Sequence, residues 1–243
     1  MSRTRITWLT PGDPSDAFPP LETALNEPEG LLAAGGDLGT ERLLYAYRNG
    51  IFPWYEEGQP LLWWSPDPRC VMQADDLHVS RRLRRDLRKG TAEIRFNTVF
   101  SEVIRACAAP RRSLQGTWIT SQMIAAYERL HEQGWAHSIE VWQDDELAGG
   151  LYGLAIGRTF FGESMFSRKP NASKIALLAL TQHMRRGDFE LLDCQVTSQH
   201  LLDLGATLMP RRRFASTLKR LCNPPKAFEN WPSDPITASG LLQ

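Results

Sequence analysis

Two polar side chains, an acid and an amide, lie two residues apart in an otherwise apolar segment. Asp193 and Gln195 fall within residues 190–196, whose composition predicts a β-strand. Alternate side chains leave the same face of a strand, so Asp193 and Gln195 would share one surface and Cys194 would point the other way. A carboxylate beside a carboxamide can orient the amide toward an incoming amine and assist loss of its proton. The alternative is a buried Asp193 that only accepts a hydrogen bond from a neighbouring backbone group.

Glu163 is a second acidic candidate, in a predicted strand otherwise dominated by large apolar residues. It lies in the segment GESMFS, residues 162–167, shortly after Phe160 and Phe161. A carboxylate buried among aromatic rings without a partner is costly. Glu163 is therefore either paired with an arginine for structure or held for a cationic ligand group such as an ammonium. Ser164 could add a hydroxyl contact, but no nearby histidine supports a serine nucleophile.

Four tryptophans are concentrated in loop segments that are rich in proline and glycine: Trp54, Trp63, Trp64 and Trp118. One interpretation is an aromatic platform for a nucleobase, worth roughly 1–3 kcal/mol per stacked base, or the wall of an apolar pocket. The alternative is a position in the core or at a domain interface, where most tryptophans lie. Placement in loops rather than in regular helices favours a binding site.

A helix predicted at residues 80–89 carries a high concentration of positive charge. At about 100° per residue, Leu83 and Leu87 fall on one side, which would dock on the protein. The opposite side holds six basic residues, namely Arg81, Arg82, Arg84, Arg85, Arg88 and Lys89. The whole chain has 28 basic and 28 acidic residues, so local charge is the better guide to a polyanionic partner. The alternative is a solvated surface with a basic bias.

The elements that must position these residues divide the chain into two parts. Residues 1–66 are rich in proline and glycine, and they contain a predicted helix at 41–49 with Thr40 as N-cap. We interpret them as a small N-terminal α/β domain, followed by a larger domain at 67–243. The larger domain has a predicted helix at 121–133, capped by Thr120. Its later elements are strands at 137–143, 147–156 and 159–166, a helix from the Asn171 cap to 186, a strand at 190–196, a helix at 198–204 and a strand at 207–214.

This order predicts an α+β fold, with helices packed over a mixed, largely antiparallel sheet. Three antiparallel strands that lead into a helix and then another strand look like the acyltransferase fold of the GNAT class. A fold alone does not determine the chemistry, so the functional prediction rests on the candidate residues.

Composition argues against several classes of protein. No segment reaches the roughly 18 apolar residues of a membrane span, and the N-terminus lacks the apolar core of a signal peptide, so we expect a cytoplasmic location and no membrane. The four cysteines form no C-x-x-C pair, and the five histidines fall in no metal-ligand pattern. Neither a disulfide nor a bound metal is expected.

The sequence resembles the leucyl/phenylalanyl-tRNA-protein transferases along nearly its whole length. Several segments share that family's pattern in the same order, which unrelated proteins would not be expected to do. They are LLAAGGDL at 31–38, GIFPW at 50–54, LWWSPDPR at 62–69, GTWI at 116–119, HSIEVW at 137–142, GESMFS at 162–167, NASK at 171–174, DCQV at 193–196 and GATLMPRR at 205–212.

The resemblance implies a two-domain, monomeric enzyme with a GNAT-like C-terminal domain. Such an enzyme transfers Leu or Phe, and less well Met, from aminoacyl-tRNA to proteins that begin with Arg or Lys. The product would be marked for degradation by the N-end rule pathway, and no cofactor would be required.

The resemblance also implies roles for matching residues. Asp193 and Gln195 would be the catalytic pair, and the basic helix at residues 80–89 would meet the acceptor stem of the tRNA. The remaining positions would bind the substrate: Trp54 and Trp118 at the terminal adenosine, with Glu163, Phe160 and Ser164 near the aminoacyl group.

Two other functions remain as alternatives. A coenzyme A-dependent N-acetyltransferase would need a glycine-containing loop for the pyrophosphate, whereas the matching residues 166–173 lack glycine and contain Pro170, which has no backbone N–H. A non-catalytic RNA-binding module would explain the basic helix and the tryptophans, but it would leave Asp193, Gln195 and Glu163 without a task.

Overall fold

The N-terminal part of the chain forms a four-stranded sheet and one helix. The computed structural model describes residues 6–88, 90, 92–109 and 118–242. The first sheet has the strand order β1-β2-β4-β3, in which β1 and β2 are parallel and the other neighbours are antiparallel. Its strands are β1 (Thr7–Leu9), β2 (Leu31–Gly35), β3 (Phe52–Pro53) and β4 (Leu62–Trp64), with helix α1 (Thr40–Arg48) between β2 and β3.

The second sheet has eight strands in the order β11-β5-β10-β9-β8-β7-β6-β12. Strands β9 and β10 are parallel, and the other neighbours pair antiparallel. Its strands are β5 (Arg69–Met72), β6 (Ala92–Phe96), β7 (Ala136–Gln143), β8 (Glu146–Ile156), β9 (Thr159–Ser167), β10 (Leu191–Gln195), β11 (Thr207–Met209) and β12 (Ile236–Thr237).

Both faces of the larger sheet are covered, which explains why β8 is almost entirely apolar. One face packs against the first sheet and α1, together with α3 (Phe100–Ala108), α4 (Ser121–Glu132) and α7 (Arg211–Leu221). The other face packs against α2 (Arg81–Arg88), α5 (Ala172–Arg186), the short α6 (Gln199–Asp203) and the 3-10 helix Ala238–Leu242. A side chain on this sheet therefore faces one of two separate cores.

The structure confirms the α+β class and the predicted order of elements from β7 to α6. The hairpin between β7 and β8 turns at Asp144 and Asp145, which both have positive φ. The Thr120 hydroxyl accepts a hydrogen bond from the backbone of α4, so the cap predicted there is present. The Ser198 hydroxyl does the same for α6, where the sequence predicted Ser198 as the first helical residue.

Three local predictions were wrong. The strand predicted at 207–214 ends at Met209, and Pro210 precedes α7, on which Phe214, Leu218 and Leu221 are buried at helical spacing. Asn171 occupies the position before α5 but has φ of 65° and makes no capping hydrogen bond; its amide donates to Asp86 instead. Gly39, not Thr40, precedes the first residue of α1, because the helix begins one residue earlier than predicted.

Some of the sequence predictions lie outside the described residues. These are Lys89 on the basic helix and the first half of the GTWI segment, Gly116 and Thr117. Within the described part of the chain, no helix is both long and apolar enough to cross a membrane.

A glycine in β8 permits the close approach of β9, and its replacement should destabilise the fold. A Cβ atom on Gly153 would lie 2.1 Å from the Phe161 carbonyl oxygen and 2.5 Å from the Phe160 ring. We expect Gly153→Ala to lower the free energy of unfolding by about 1–3 kcal/mol, measured by urea denaturation. Gly162→Ala is the control, because its Cβ would meet neighbours no closer than 3.4 Å. Equal stability of the two variants would contradict this account.

Candidate active site

A buried ion pair joins the neighbouring strands β5 and β10 of the larger sheet. Arg69 on β5 donates to both carboxylate oxygens of Asp193 on β10, from Nε to Oδ1 at 2.8 Å and from Nη2 to Oδ2 at 2.7 Å. Its remaining Nη1 donates to the Gly50 carbonyl oxygen at 3.1 Å. Both side chains are almost completely buried, at 1% and 0% exposure. A two-point pair of this kind fixes the carboxylate in orientation as well as in position.

Two aromatic rings enclose the guanidinium group of Arg69. Its Cζ atom lies 4.6 Å from the centre of the Phe52 ring on β3 and 4.8 Å from that of Phe214 on α7. Cation–π contacts are strongest where water is excluded, as it is here. Arg69 therefore connects the first sheet, α7 and β10 through one side chain.

Asp193 positions Gln195 through the backbone. Asp193 Oδ1 accepts a hydrogen bond from the backbone N–H of Gln195 at 2.9 Å. Gln195 has φ of 60°, and the pairing of β10 with β5 shifts between these two residues, which is a β-bulge. A left-handed conformation at a non-glycine residue costs on the order of 1 kcal/mol, and the fixed carboxylate compensates for it.

The structure confirms one part of the prediction for this segment and corrects another. Asp193 and Gln195 lie on the face of the sheet that α1 and α7 cover, while Cys194 packs into the core on the other face. The expected contact between the Asp193 carboxylate and the Gln195 carboxamide does not occur, because Arg69 and a backbone N–H occupy the carboxylate. The alternative reading, an Asp that binds a neighbouring backbone group, describes this contact better.

The Gln195 side chain binds Glu163 instead. Its Nε2 donates to Glu163 Oε1 at 2.6 Å, and the Tyr47 hydroxyl donates to the same oxygen at 2.6 Å. The hydroxyl of Tyr127 lies 3.0 Å from Glu163 Oε2, and the two tyrosine hydroxyls also contact each other. Among the described residues, two phenols and an amide bind this carboxyl group, in place of the arginine that was one of the two alternatives from the sequence.

The number of protons indicates which form of Glu163 fits the site. Three contacts join the two hydroxyls and the carboxyl group in a closed ring, and each tyrosine supplies one proton. A protonated Glu163 supplies the third, so every contact then holds one hydrogen. Burial, the largest cause, raises the pKa of Glu163 to about 7, while the hydrogen bonds from Tyr47, Tyr127 and Gln195 act in the opposite direction.

Burial and the neighbouring Glu163 carboxyl group raise the pKa values of both Tyr47 and Tyr127 well above 10. The two phenols therefore keep their protons near neutral pH and act as donors. Because Gln195 Nε2 faces Glu163, the carbonyl oxygen of the same amide is the end left to accept a hydrogen bond.

A cavity of about 1060 Å³ lies where β9 and β10 separate. Their pairing ends at Phe161 and Asp193, while both strands continue beyond these positions. Glu163, Ser164 and Asp193 form part of the polar wall. The apolar wall includes side chains from β8, β9, α5 and β10: Leu151, Met165, Phe166, Leu177, Leu180 and Leu192. The cavity can therefore hold an apolar group beside a cluster of hydrogen-bonding groups.

The other predicted substrate-binding residues occupy three different places. Trp118 lies in the cavity wall. Trp54 is 39% exposed and packs against Trp64 with ring centres 5.5 Å apart, outside the described wall of this cavity. Phe160 is fully buried in the core on the α5 side of the sheet.

The basic helix has the predicted orientation. Leu83 and Leu87 on α2 are buried in the same core as the apolar residues of α5. The exposed residues of α2 are Arg81, Arg82, Arg84, Arg85 and Arg88. These five arginines form a positively charged surface, named here the α2 surface.

Sequence reasoning missed four residues of the site, Arg69, Tyr47, Tyr127 and Tyr152. The signal that could have marked Tyr47 is its phenol, because a buried phenol normally requires a hydrogen-bond partner. Nothing in the local pattern marks Arg69. Tyr152 is fully buried in the cavity wall, and its hydroxyl has no hydrogen-bond partner within the described residues, so it is free to bind a ligand acceptor.

Comparison with known sequences identifies closely similar proteins. A family model described as "Leucyl/phenylalanyl-tRNA protein transferase" matches residues 71–219, and one described as its N-terminal domain matches residues 36–67. Proteins named "Leucyl/phenylalanyl-tRNA--protein transferase" are similar over most of the chain. That of Stutzerimonas stutzeri is 58% identical, covering 92% of this chain and 98% of its own, and that of Nitrosospira multiformis is 56% identical, covering 93% and 96%.

A solved structure shows weak similarity to this chain. A structure titled "The structure of L-PGS from Bacillus licheniformis" matches with a TM-score of 0.38 and 8% identity, over 69% of this chain and 53% of the other. No argument rests on so low a score.

The raised pKa of Glu163 should make the stability of the protein fall with pH. Between about pH 4.5 and pH 7 the folded chain keeps a proton that the unfolded chain has lost, so the free energy of unfolding falls as pH rises. We expect Glu163→Gln to remove a decline of roughly 3 kcal/mol across this window, because its amide supplies the third proton at every pH. Urea denaturation at a series of pH values measures this.

The exposed Glu132→Gln is the matched control for that experiment, since Glu132 lies on the solvent side of α4. It should keep the pH dependence of the unchanged chain. An equal decline in the Glu163→Gln variant and the unchanged chain would show that Glu163 is ionised throughout the window.

Proposed function

The chain belongs to the leucyl/phenylalanyl-tRNA protein transferase family, and on that premise we propose its substrates and the roles of its residues. The reaction of the family moves an aminoacyl group from a tRNA to the N-terminus of a protein. We propose Leu and Phe, and less well Met, as the transferred residues, and proteins that begin with Arg or Lys as the acceptors. The product would enter the N-end rule degradation pathway.

The observation that carries the proposal is the joining of an apolar cavity to the Glu163–Gln195 hydrogen bond. The apolar wall suits the side chain of Leu, Phe or Met. One methylene changes binding by only about 1–3 kcal/mol, so tolerance among these three is expected, while a charged side chain would lose its hydration. The polar cluster lies beside this wall, where the reacting ester would be held.

In the proposed reaction, the α-amine of the acceptor attacks the ester carbonyl carbon of the aminoacyl-tRNA. A C–N bond forms, the bond to the ribose oxygen breaks, and the amine loses a proton while the ribose hydroxyl gains one. The ester is already activated, so positioning supplies most of the acceleration. Gln195 accepts a hydrogen bond from the amine through its carbonyl oxygen, and Glu163 holds the amide in that orientation.

Asp193 acts as a positioning residue in this scheme. Its contacts are with Arg69 and with the backbone of Gln195, so it supports the bulge that presents Gln195. Ser164 lies in the cavity wall and would contact the aminoacyl group, and Phe160 would support that wall from the core behind it.

The terminal adenosine of the tRNA would bind near the tryptophans. Trp118 lies in the cavity wall, and Trp54 presents part of its ring to solvent, as a stacking surface requires. The α2 surface would bind the phosphates of the acceptor stem, because five exposed arginines on one docked helix form a fixed row of positive charge.

Other properties of the chain follow as part of this proposal. The run from the β7–β9 meander through α5 to the parallel strand β10 supports a GNAT-like larger domain, and the separate first sheet supports a small N-terminal domain ending near Pro66. A monomer without cofactor suffices, since every proposed group lies on one chain. A cytoplasmic location follows from the substrate, because aminoacyl-tRNA is a cytoplasmic molecule.

Replacement of Gln195 tests the catalytic proposal. Gln195→Ala removes the acceptor for the amine while leaving the α2 surface intact, so we expect an unchanged Kd for Leu-tRNA and a fall in kcat of at least about 100-fold. The assay measures transfer of radiolabelled Leu from Leu-tRNA to a model protein with an N-terminal Arg, without added cofactor.

Gln199→Ala is the matched control, because Gln199 is exposed and its amide binds only Asp203 among the described residues. It should transfer Leu at the normal rate. Normal transfer by the Gln195→Ala variant would refute the role of Gln195. The absence of transfer by the unchanged chain, with tRNA binding intact, would favour a non-catalytic RNA-binding module.

Replacement of two arginines on α2 tests the tRNA interface. The Arg81→Gln, Arg85→Gln variant should weaken tRNA binding by on the order of 10-fold near 0.1 M salt, and the salt dependence should become shallower by about 0.9 per lost phosphate contact. Binding is measured by filter retention over a range of salt. Arg105→Gln is the control, because Arg105 is an exposed arginine of α3 that pairs with Glu128. Equal losses in the two variants would indicate only a general effect of charge.

A further inference from the structure

Two cysteines face each other across neighbouring strands beside the site. Cys70 lies on β5 and Cys194 on β10, and the register places Cys70 opposite Gln195 and Val71 opposite Asp193. Cys194 is therefore the extra residue of the bulge, next to Cys70. Both side chains belong to the core on the α5 side of the sheet, so they lie on the same face.

The distance between the two strands suits a covalent link. Cα atoms of paired residues in antiparallel strands lie about 4.5–5.5 Å apart, Cys194 adjoins the residue paired with Cys70, and disulfides form at Cα separations of about 4.4–6.8 Å. Both side chains pack in the same core beside each other. A disulfide thus requires a small change in side-chain torsion and no separation of the strands.

The two thiols differ in their access to solvent. Cys70 is completely buried, whereas Cys194 is partly buried and lies in the wall of the cavity. The remaining cysteines are buried in other places. Cys107 on α3 is 4% exposed, and Cys222, after α7, is 1% exposed and donates a hydrogen bond to the Thr159 hydroxyl. A small oxidant that enters the cavity therefore meets Cys194 first, with Cys70 directly behind it.

We propose that Cys70 and Cys194 form a dithiol modification site, which a hydroperoxide converts into a disulfide across β5 and β10. The sulfur of Cys194 attacks the peroxide oxygen and forms a sulfenic acid, while the thiol proton passes to the departing oxygen, which leaves as an alcohol or water. The sulfur of Cys70 then attacks the Cys194 sulfur and expels the hydroxyl group as water. Two thiols and one hydrogen peroxide yield one disulfide and two waters, so the peroxide is reduced by the two electrons that the thiols lose.

The position of Cys70 assists the second step. Cys70 lies directly beside Cys194 on the same face of the sheet, so its sulfur can attack the sulfenic acid as soon as it forms. A resolving thiol next to the oxidised sulfur also protects Cys194 from further oxidation to the sulfinic acid, which thiols do not reverse.

The position of this site gives the modification a structural consequence. Cys194 separates Asp193 from Gln195, and Cys70 follows Arg69, so the disulfide would join the two strands that carry the buried ion pair. It would also draw the Cys194 sulfur toward Cys70 and away from the cavity.

Mass spectrometry of the intact, folded chain tests the proposal. The chain is treated with hydrogen peroxide, and its remaining thiols are then alkylated under denaturing conditions. We expect the mass to fall by two hydrogens before alkylation and only two cysteines to be alkylated. A linked pair of peptides should join Cys70 to Cys194. Dithiothreitol should restore four alkylated cysteines. The readout is mass, so its outcome does not depend on the proposed transfer reaction.

Three variants make the assignment specific. Cys70→Ala should lose the linked peptide, whereas Cys107→Ala and Cys222→Ala should keep it. Circular dichroism before oxidation establishes that each variant is folded. A linked peptide that persists in Cys70→Ala, or an unchanged chain that gains only oxygen at Cys194, would overturn the proposal.

Discussion

The arrangement of the site depends on the buried pair between Arg69 and Asp193. Breaking such a pair leaves one uncompensated buried charge, which costs about 3–5 kcal/mol, whereas the intact pair adds little net stability. The pair therefore contributes mainly by fixing the positions of the groups that it joins. The guanidinium group binds the Gly50 carbonyl oxygen and contacts Phe52, so the pair holds the N-terminal sheet against the strand that carries Asp193. The bulge at Gln195 has its fixed position because the carboxylate cannot move.

A second constraint is the number of protons shared by the Tyr47 hydroxyl, the Tyr127 hydroxyl and the Glu163 carboxyl group, which contact one another in a closed ring. Tyr47 on α1 and Tyr127 on α4 approach from different helices and meet at one carboxyl group. The ring is complete when that group is neutral, and burial favours the neutral form. A neutral Glu163 accepts a hydrogen bond from the Gln195 amide without introducing a charge into the apolar cavity. The same contacts connect helices from the two parts of the chain to the C-terminal end of β10.

The two binding regions of the proposed substrate differ in their physical character. In the proposed function, the cavity would select by volume and by the loss of hydration, so it would separate apolar from charged aminoacyl groups but distinguish poorly between Leu and Phe. The α2 surface would act through charge, which supplies affinity and little base specificity. Leu83 and Leu87 keep this surface fixed to the body of the protein. On this proposal, the cavity would supply the selectivity of transfer, and α2 would supply most of the affinity for tRNA.

The sequence by itself determined the α+β class, the order from β7 to α6 and the outward face of α2, because each follows from local periodicity and capping. The local pattern also placed Asp193 and Gln195 on one face. The prediction of a strand as far as Phe214 was wrong, because Phe214 and the later apolar residues have helical spacing. Only the tertiary structure decided the partners of the buried groups. Arg69 is 124 residues from Asp193 in sequence, and Tyr47 is 116 residues from Glu163. A buried polar group must find a partner, but the sequence does not specify which distant side chain will lie within hydrogen-bond distance.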